Sequence, residues 1–360
     1  MRKKTRQINI GSVAIGGGAP ISVQSMTNTN TADVTATVAQ IQRLEAAGCE
    51  IVRVAVPDME AAAAIGGIRK AISMPLIADI HFDWRLAIAA LESGVDGLRL
   101  NPGNIGSKDR IKTVVAEAAS RRVPIRIGVN AGSLEKDILE KYGHPTKEAL
   151  VESAMRHIAI LEDLGFFDIK VSLKASSVPL TVESYRLLSE QVDYPLHIGI
   201  TEAGTVWAGS IKSAAGLGAL LYGGIGDTMR VSLTGDPVEE VRCGWEILKA
   251  LELRERGVRI ISCPTCGRIK LDLPAIALEV EKRLGGITEP VSVAIMGCVV
   301  NGPGEAVEAD IGIAGGDGVG LIYINGKANR KVREDEIVDA LVDEVATLVE
   351  ARRKGRARSG

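Results

Sequence analysis

Short β-rich runs alternate with amphipathic helical stretches along the first two thirds of the chain. In the stretches at 35–48 and 84–94, apolar residues recur every three or four positions, which is the period of a helix. Eight strand–helix alternations predict a parallel sheet, and eight parallel strands close a (β/α)8 TIM barrel. An open doubly wound sheet is the alternative, although it usually has fewer strands. The eight runs begin at Ile21, Ile51, Leu76, Gly97, Pro124, Asp168, Leu196 and Asp227.

The alternating pattern stops near residues 254–259, which we interpret as a linker. We therefore predict a barrel over residues 1–255 and a smaller mixed α/β domain over residues 256–360. Within the barrel, the connection at 131–165 is the longest and has room for an extra lid-like element. In the second domain, the pattern predicts strands at 259–263, 291–297, 309–315 and 320–326, with helices at 273–285 and from Glu336 to about Arg352.

Composition narrows the function classes. The formal net charge of −2 and the aromatic content of 3% argue against nucleic-acid binding, which uses basic surfaces and stacking platforms. No apolar run approaches the ~18 residues that span a bilayer, and no apolar segment follows the basic start as in a signal peptide. We therefore expect a cytoplasmic protein. Five cysteines in such a chain favour metal or redox use over disulfides.

Three of these cysteines are spaced like metal ligands. Cys263 and Cys266 form a C-x2-C turn at the end of a predicted strand, and Cys298 follows another strand. Three thiolates leave one coordination position open, and Glu305, just beyond a Gly-Pro-Gly turn, is the candidate for it. We favour an iron–sulfur cluster, with a zinc site as the main alternative and a thioredoxin-like redox pair as the weaker one. Cys49 and Cys243 fall in helical regions of the barrel, where we expect buried apolar packing.

A cation recurs inside the apolar strand runs, close to the ends where barrel enzymes place their sites. Buried unpaired cations are costly, so five of them require converging anions. The inward acids that we expect are Asp79, Glu202 and Asp227, which are too few. A ligand with several phosphate oxygens would supply the rest, whereas structural ion pairs are the alternative. The five cations are Arg53, Arg99, Arg126, Lys174 and Arg230.

Polar neighbours suit the same barrel mouth. Glu202 could act as an acid or base, or could serve a structural role. His81 could contact a ligand or could be a histidine of the barrel core. Side chains that can hydrogen-bond a sugar or phosphate oxygen are Asn101, Asn130, Thr201 and Ser232.

Longer segments of the chain resemble the bacterial hydroxymethylbutenyl diphosphate synthases of the methylerythritol phosphate route to isoprenoids. The resemblance covers nearly the whole chain. Its segments are VQSMTNT from Val23, ADIHFD from Ala78, LRLNPGNIG from Leu98, IRIGVNAGSLEKD from Ile125, ESAMRH from Glu152, GITEAG from Gly199, RVSLTGDPVEE from Arg230, SCPTCGR from Ser262 and GCVVNGPGEA from Gly297.

The resemblance implies a two-electron reductive ring opening and dehydration of methylerythritol cyclodiphosphate to hydroxymethylbutenyl diphosphate. It implies a [4Fe–4S] cluster, flavodoxin or ferredoxin as electron donor, and a homodimer in which one chain's cluster domain faces the partner's barrel. It also assigns residues. Thr201 and Glu202 would stand at the reacting end. The cluster ligands would be Cys263, Cys266, Cys298 and Glu305, and the diphosphate-binding residues Arg53, Arg99, Arg126, Asn130, Lys174, Arg230 and Ser232.

Two rival functions remain at this point. A zinc-dependent barrel lyase or aldolase acting on a sugar phosphate would explain the cysteines and the cations. A non-catalytic iron or redox sensor would explain the cysteines but would have no use for five cations around a deep mouth. The colour of the purified protein separates iron–sulfur from zinc, because only the former absorbs broadly near 400 nm.

Overall fold

The computed structural model of the protein describes residues 2–298, 300 and 302–359. The chain divides into two compact units, Met1–Arg254 and Glu255–Gly360, each with its own apolar core. Within the described part of the chain, no helix is both long enough and apolar enough to cross a membrane.

The first unit is a parallel barrel, which confirms the predicted fold class. Its strands are β3 (Ser22–Met26), β4 (Ile51–Ala55), β5 (Leu76–Asp79), β6 (Gly97–Arg99), β7 (Ile125–Asn130), β8 (Ile169–Lys174), β9 (His197–Ile198) and β10 (Thr228–Met229). Neighbouring strands pair in the order β8-β7-β6-β5-β4-β3-β10-β9, and a bridge between Val171 and Leu196 joins the two ends of this order. They follow a hairpin of β1 (Ile8–Ile10) and β2 (Val13–Ile15).

Helices connect successive strands, as parallel pairing requires. Several begin at an aspartate whose side chain accepts a hydrogen bond from the first turn, such as Asp58 with the Ala61 N–H at 2.8 Å. The long connection contains the additional short helix that its length predicted. The helices are α1 (Val34–Ala47), α2 (Met59–Ala71), α3 (Trp84–Glu92), α4 (Lys108–Arg121), α5 (Lys136–Tyr142), α6 (Lys147–Asp163), α7 (Val178–Gln191), α8 (Val206–Tyr222) and α9 (Pro237–Ala250).

The two faces of the barrel strands have different chemistry. Alternate residues such as Val52, Val54 and Ile127 point outward and pack with the surrounding helices into the main core. The residues between them point into the lumen. The end of the lumen where the strands begin is apolar, because Ile51 and Ile77 pack there against the β1–β2 hairpin. The rest of the lumen is polar and forms the candidate site.

The second unit is a five-stranded mixed sheet with helices. Its strands β11 (Val258–Ser262), β12 (Val291–Met296) and β13 (Ile311–Gly315) are parallel, and β14 (Val319–Ile324) and β15 (Lys327–Arg333) continue antiparallel. The sequence prediction missed β15 because its side chains are mostly charged and exposed, as is common in an edge strand. The helices are α10 (Leu273–Leu284), α11 (Gly302–Glu308) and α12 (Ile337–Ser359), the last of which extends beyond its predicted end.

Candidate active site

Strand register gathers the predicted cations in the barrel lumen. Arg126 pairs in register with Arg99 on one side and with Lys170 on the other, and Asn130 pairs with Lys174. Residues paired in this way point to the same face of a parallel sheet. Lys170 belongs to the same lumen and is 1% exposed, although the sequence analysis had not singled it out.

Asp79 neutralises one side of the mouth. It ends β5, and its carboxylate is 3.1 Å from Arg99 Nη1 and 3.5 Å from Arg53 Nε. These two guanidinium groups hold the pKa of Asp79 below its ordinary value despite burial, which acts to raise it. His81 lies beside the pair, with Nε2 at 2.9 Å from Arg99 Nη1, but its side chain is mostly exposed. Partial burial and the two arginines lower the pKa of His81, against the opposing effect of Asp79.

Glu240 neutralises the opposite side. It projects from α9 and is 4% exposed. Its two carboxylate oxygens accept from Arg230 Nε at 3.1 Å and Nη2 at 3.0 Å, which is the bidentate arrangement typical of a strong ion pair. Helical periodicity shows that position 240 faces inward, but it does not show that the Glu240 carboxylate reaches Arg230, which directly follows β10.

Arg126 has a different environment from the paired arginines. It is 3% exposed, and its Nε and Nη1 have no hydrogen-bond partner among the described residues. Arg99 Nε and Lys170 Nζ are buried and unpartnered in the same sense. Arg126 is the second residue of β7, so it also lies deeper than the strand-end position that we expected. A buried guanidinium with donors to spare is what an oxyanion ligand requires.

Lys174 ends β8 and completes the ring of cations. Burial, together with the positive charges of Arg230 and Arg53, lowers the pKa of its ammonium group well below the ordinary value. Gly199 on the neighbouring strand makes room for this side chain, because a Cβ there would lie only 2.9 Å from Lys174 Nζ. In the same way, a Cβ at Gly128 would collide with the Arg99 guanidinium, at 2.5 Å from Nε. Both glycines therefore serve the site by leaving space.

The other predicted mouth residues divide into two groups. Asn101 lies just after β6 and Asn130 ends β7, and both are held by backbone groups. Asn101 Oδ1 accepts from Gly128 N at 2.8 Å, and Asn130 Oδ1 accepts from Gly132 N at 3.1 Å. Ser232 and Thr201 lie half-buried after β10 and β9.

Two of the predicted inward acids lie elsewhere. Glu202 is exposed, in the loop after β9, and has a backbone φ of 52°. Asp227 precedes β10 at the amino-terminal end of the barrel, where it accepts from Thr5 Oγ1 at 3.1 Å and Leu196 N at 3.0 Å. It is therefore a structural acid, and its expected place at the mouth was wrong.

Two of the predicted metal ligands stand at the carboxyl ends of neighbouring strands in the second sheet. Cys263 follows β11 and Cys298 follows the adjacent parallel strand β12, so both stand at neighbouring carboxyl ends. The Gly297 N–H donates to Cys263 Sγ at 3.4 Å, a contact that stabilises a thiolate. Cys266 is exposed in the following turn, and Glu305 is exposed in the first turn of α11. Val299 and Asn301 of this segment lie outside the described residues.

These four side chains are not gathered to ligating distance. Among the residues that the structure describes, no three His, Cys, Asp or Glu side chains are close enough to hold one ion. The donor set nevertheless fits an iron–sulfur cluster, because three thiols with one carboxylate are suitable iron ligands and Cys266 and Glu305 are exposed. The two remaining cysteines differ. Burial raises the pKa of the Cys49 thiol to about 12 and also raises that of Cys243, so both are poor ligands.

Comparisons with known proteins match both units of the chain. Residues 5–245 match the GcpE TIM-barrel domain, and residues 259–347 match the GcpE protein C-terminal domain. The chain is 64% identical over 349 residues to a 4-hydroxy-3-methylbut-2-en-1-yl diphosphate synthase (flavodoxin) of Geobacter sulfurreducens, covering 97% of this chain and 99% of the relative. It is 58% identical over 360 residues to the protein of the same name in Symbiobacterium thermophilum, covering 100% of this chain and 97% of the relative.

Among solved structures, the 3-dehydroquinate dehydratase of Geobacillus kaustophilus superposes with a TM-score of 0.50 at 17% sequence identity, covering 69% of this chain and 99% of that one. This likeness concerns the barrel fold alone. The two family models together span most of the chain, and relatives more than half identical run along nearly all of it. The chain therefore belongs to the GcpE family.

Proposed function

We propose that this chain catalyses the two-electron reductive ring opening and dehydration of 2-C-methyl-D-erythritol 2,4-cyclodiphosphate to 4-hydroxy-3-methylbut-2-en-1-yl diphosphate. The observation that carries the proposal is the surplus of cations in the barrel lumen. Relatives that share more than half of its residues are named for the synthase that forms this product. The zinc-dependent lyase is not supported.

The balance of charge at the mouth suits a diphosphate. Five cations line it, whereas the buried carboxylates that face them are Asp79 and Glu240. The cyclic substrate has one ionised oxygen on each phosphorus atom, and opening the ring exposes a further ionisable oxygen. A site with more positive charge than the substrate can match therefore stabilises the charge that develops as the carbon–oxygen bond breaks.

The residues divide the work as follows in this proposal. Arg126 and Lys174, which have no carboxylate partner among the described residues, bind the diphosphate directly. Arg53, Arg99 and Arg230 bind it while remaining paired to Asp79 or Glu240. Asn130, Thr201 and Ser232 donate further hydrogen bonds, and together these eight residues form the substrate-binding set.

Thr201 and Glu202 stand at the reacting end in the proposal, where Glu202 moves a proton to or from a substrate hydroxyl. The backbone at Glu202 supports a functional role. A φ of 52° lies in the left-handed region, which costs a residue with a side chain about 1 kcal/mol or more. Such strain persists where a loop has to present one side chain in one direction.

Cys263, Cys266, Cys298 and Glu305 would hold a [4Fe–4S] cluster, so that residues 1–255 are the substrate-binding barrel and 256–360 the cluster domain. When bound, the cluster would pass the two electrons of the reduction, one at a time, from the external donor to the substrate. The carboxylate of Glu305 is a harder and more easily displaced ligand than a thiolate. The thiols persist in the reducing cytoplasm, where we place the protein.

We further propose flavodoxin as the electron donor, since both relatives described above carry it in their names. The chain would act as a homodimer in which one cluster domain faces the partner's barrel. An anaerobic assay with the cyclodiphosphate and an artificial one-electron donor tests the activity itself. Formation of the linear diphosphate supports the proposal, and an iron-loaded protein that leaves the substrate unchanged would refute it.

A further inference from the structure

Arg230 is held by a bidentate ion pair. Its Nε and Nη2 both donate to the carboxylate of Glu240, whereas its Nη1 is 3.8 Å from the Met26 sulfur. A guanidinium bound at two nitrogens has its plane fixed. Only the Nη1 side then remains for a ligand in the lumen.

Glu240 is itself fixed by two other groups. Its Oε2 accepts from Ser25 Oγ at 2.9 Å, and its Oε1 accepts from the Leu233 N–H at 3.1 Å. The carboxylate therefore joins α9 to β3 and to the loop after β10. Since four donors surround it, neither the acid nor the arginine can rotate without breaking hydrogen bonds.

We infer that Glu240 is a positioning residue for the diphosphate, acting through Arg230. The inference rests on the proposed function, because it concerns the same ligand. An arginine left unpaired in a polar lumen has many rotamers, and ordering it on binding costs free energy. The bidentate pair with Glu240 orders Arg230 before the ligand arrives.

The direction in which one substitution changes the affinity for an anion distinguishes positioning from a simple charge effect. Glu240→Gln keeps the size of the side chain but removes a negative charge beside an anion site. If charge alone mattered, an anion would bind more tightly to the variant. If positioning matters, it binds more weakly, because the amide NH2 faces the donors of Arg230, Ser25 and Leu233 and displaces the guanidinium.

The experiment measures binding of inorganic pyrophosphate to the full-length protein by isothermal titration calorimetry. We expect Glu240→Gln to raise the Kd about tenfold or more, which corresponds to about 1.4 kcal/mol. Glu239→Gln is the matched control, because Glu239 is on the same helix but pairs with the exposed Arg242. We expect its Kd to equal that of the wild type. Glu240→Asp retains the charge, so its Kd should lie between that of the wild type and that of Glu240→Gln.

A double-substitution cycle excludes a merely structural role. In an Arg230→Met background, Glu240→Gln should cause no further loss of binding, since the residue it positions is gone. A loss of the same size in both backgrounds would overturn the inference, as would unchanged or tighter binding by Glu240→Gln alone. The anaerobic turnover assay tests the proposed function separately. A wild type that turns over the cyclodiphosphate but whose pyrophosphate binding is unaffected by Glu240→Gln overturns the inference alone, whereas a wild type that neither turns over the substrate nor binds pyrophosphate refutes the proposed function. Weak binding confined to the Glu240 variants supports both.

Discussion

Replacing Arg126 with methionine should weaken the ligand site and stabilise the ligand-free barrel. Arg126 is 3% exposed, and two of its guanidinium nitrogens have no partner among the described residues. A hydrogen bond to a charged group contributes about 1.5–3 kcal/mol. Loss of two such bonds, about 3–6 kcal/mol, would therefore raise the Kd for a diphosphate roughly a hundredfold to ten-thousandfold, since each 1.4 kcal/mol is tenfold.

The same substitution removes a buried cation without an acidic partner. Methionine has a similar length and no charge, and replacing a buried charged group by an apolar one often adds about 1–4 kcal/mol to the free energy of unfolding. Thermal unfolding with and without pyrophosphate measures both effects. We expect a higher Tm for Arg126→Met without ligand and a smaller increase in Tm on adding it.

The control is Arg121→Met. Arg121 lies on the surface of α4, and among the described residues its acidic partner is Glu117 on the same helix. Such a pair contributes less than about 1 kcal/mol, so neither measurement should change much. An Arg126→Met protein that is less stable than the wild type and still binds pyrophosphate normally would refute the reasoning, because Arg126 would then be a structural group.

Two further outcomes are expected. Burial lowers the pKa of Lys170 to about 7, whereas a lysine in the unfolded chain titrates near 10.4. Between these two pH values the unfolded chain therefore binds more protons than the folded one. The free energy of unfolding consequently rises with pH through this window. Urea unfolding should show that the free energy of unfolding of Lys170→Met rises less with pH than that of the wild type or of Lys108→Met, in which an exposed lysine is replaced. Equal rises in the three proteins would contradict this. Arg126→Met and Cys298→Ser should each be inactive alone but regain turnover when mixed, if one chain's cluster domain serves its partner's barrel; a mixture that stays inactive would show that each chain acts on its own substrate.

The barrel followed from the sequence because its signal is repeated. Eight alternations of strand and helix period leave little choice of topology. The cations at Arg53 and Arg99 stood out for a related reason, since a charge between apolar neighbours on a buried strand has to face the lumen. Lys170 and Lys174 are four residues apart on β8, so strand alternation places them on the same face. This pattern should have placed Lys170 in the lumen together with Lys174.

Other features depended on contacts between distant segments. The ion pair of Glu240 with Arg230 joins a helix to the strand end before it, and no periodicity reports where a carboxylate reaches. Asp227 was misplaced because a residue that opens a run and one that ends it look alike until the strand bounds are known. The edge strand β15 lacks an apolar face, so its pattern gave no sign of pairing.

The central claim is that a diphosphate bound by barrel cations is reduced with electrons from an iron–sulfur cluster held by Cys263, Cys266, Cys298 and Glu305. Iron and sulfide analysis of the protein purified without oxygen tests it most directly. We expect about four irons and four sulfides per chain, with broad absorption near 400 nm that is lost in Cys298→Ser. Zinc, or no metal, bound at these cysteines would contradict it.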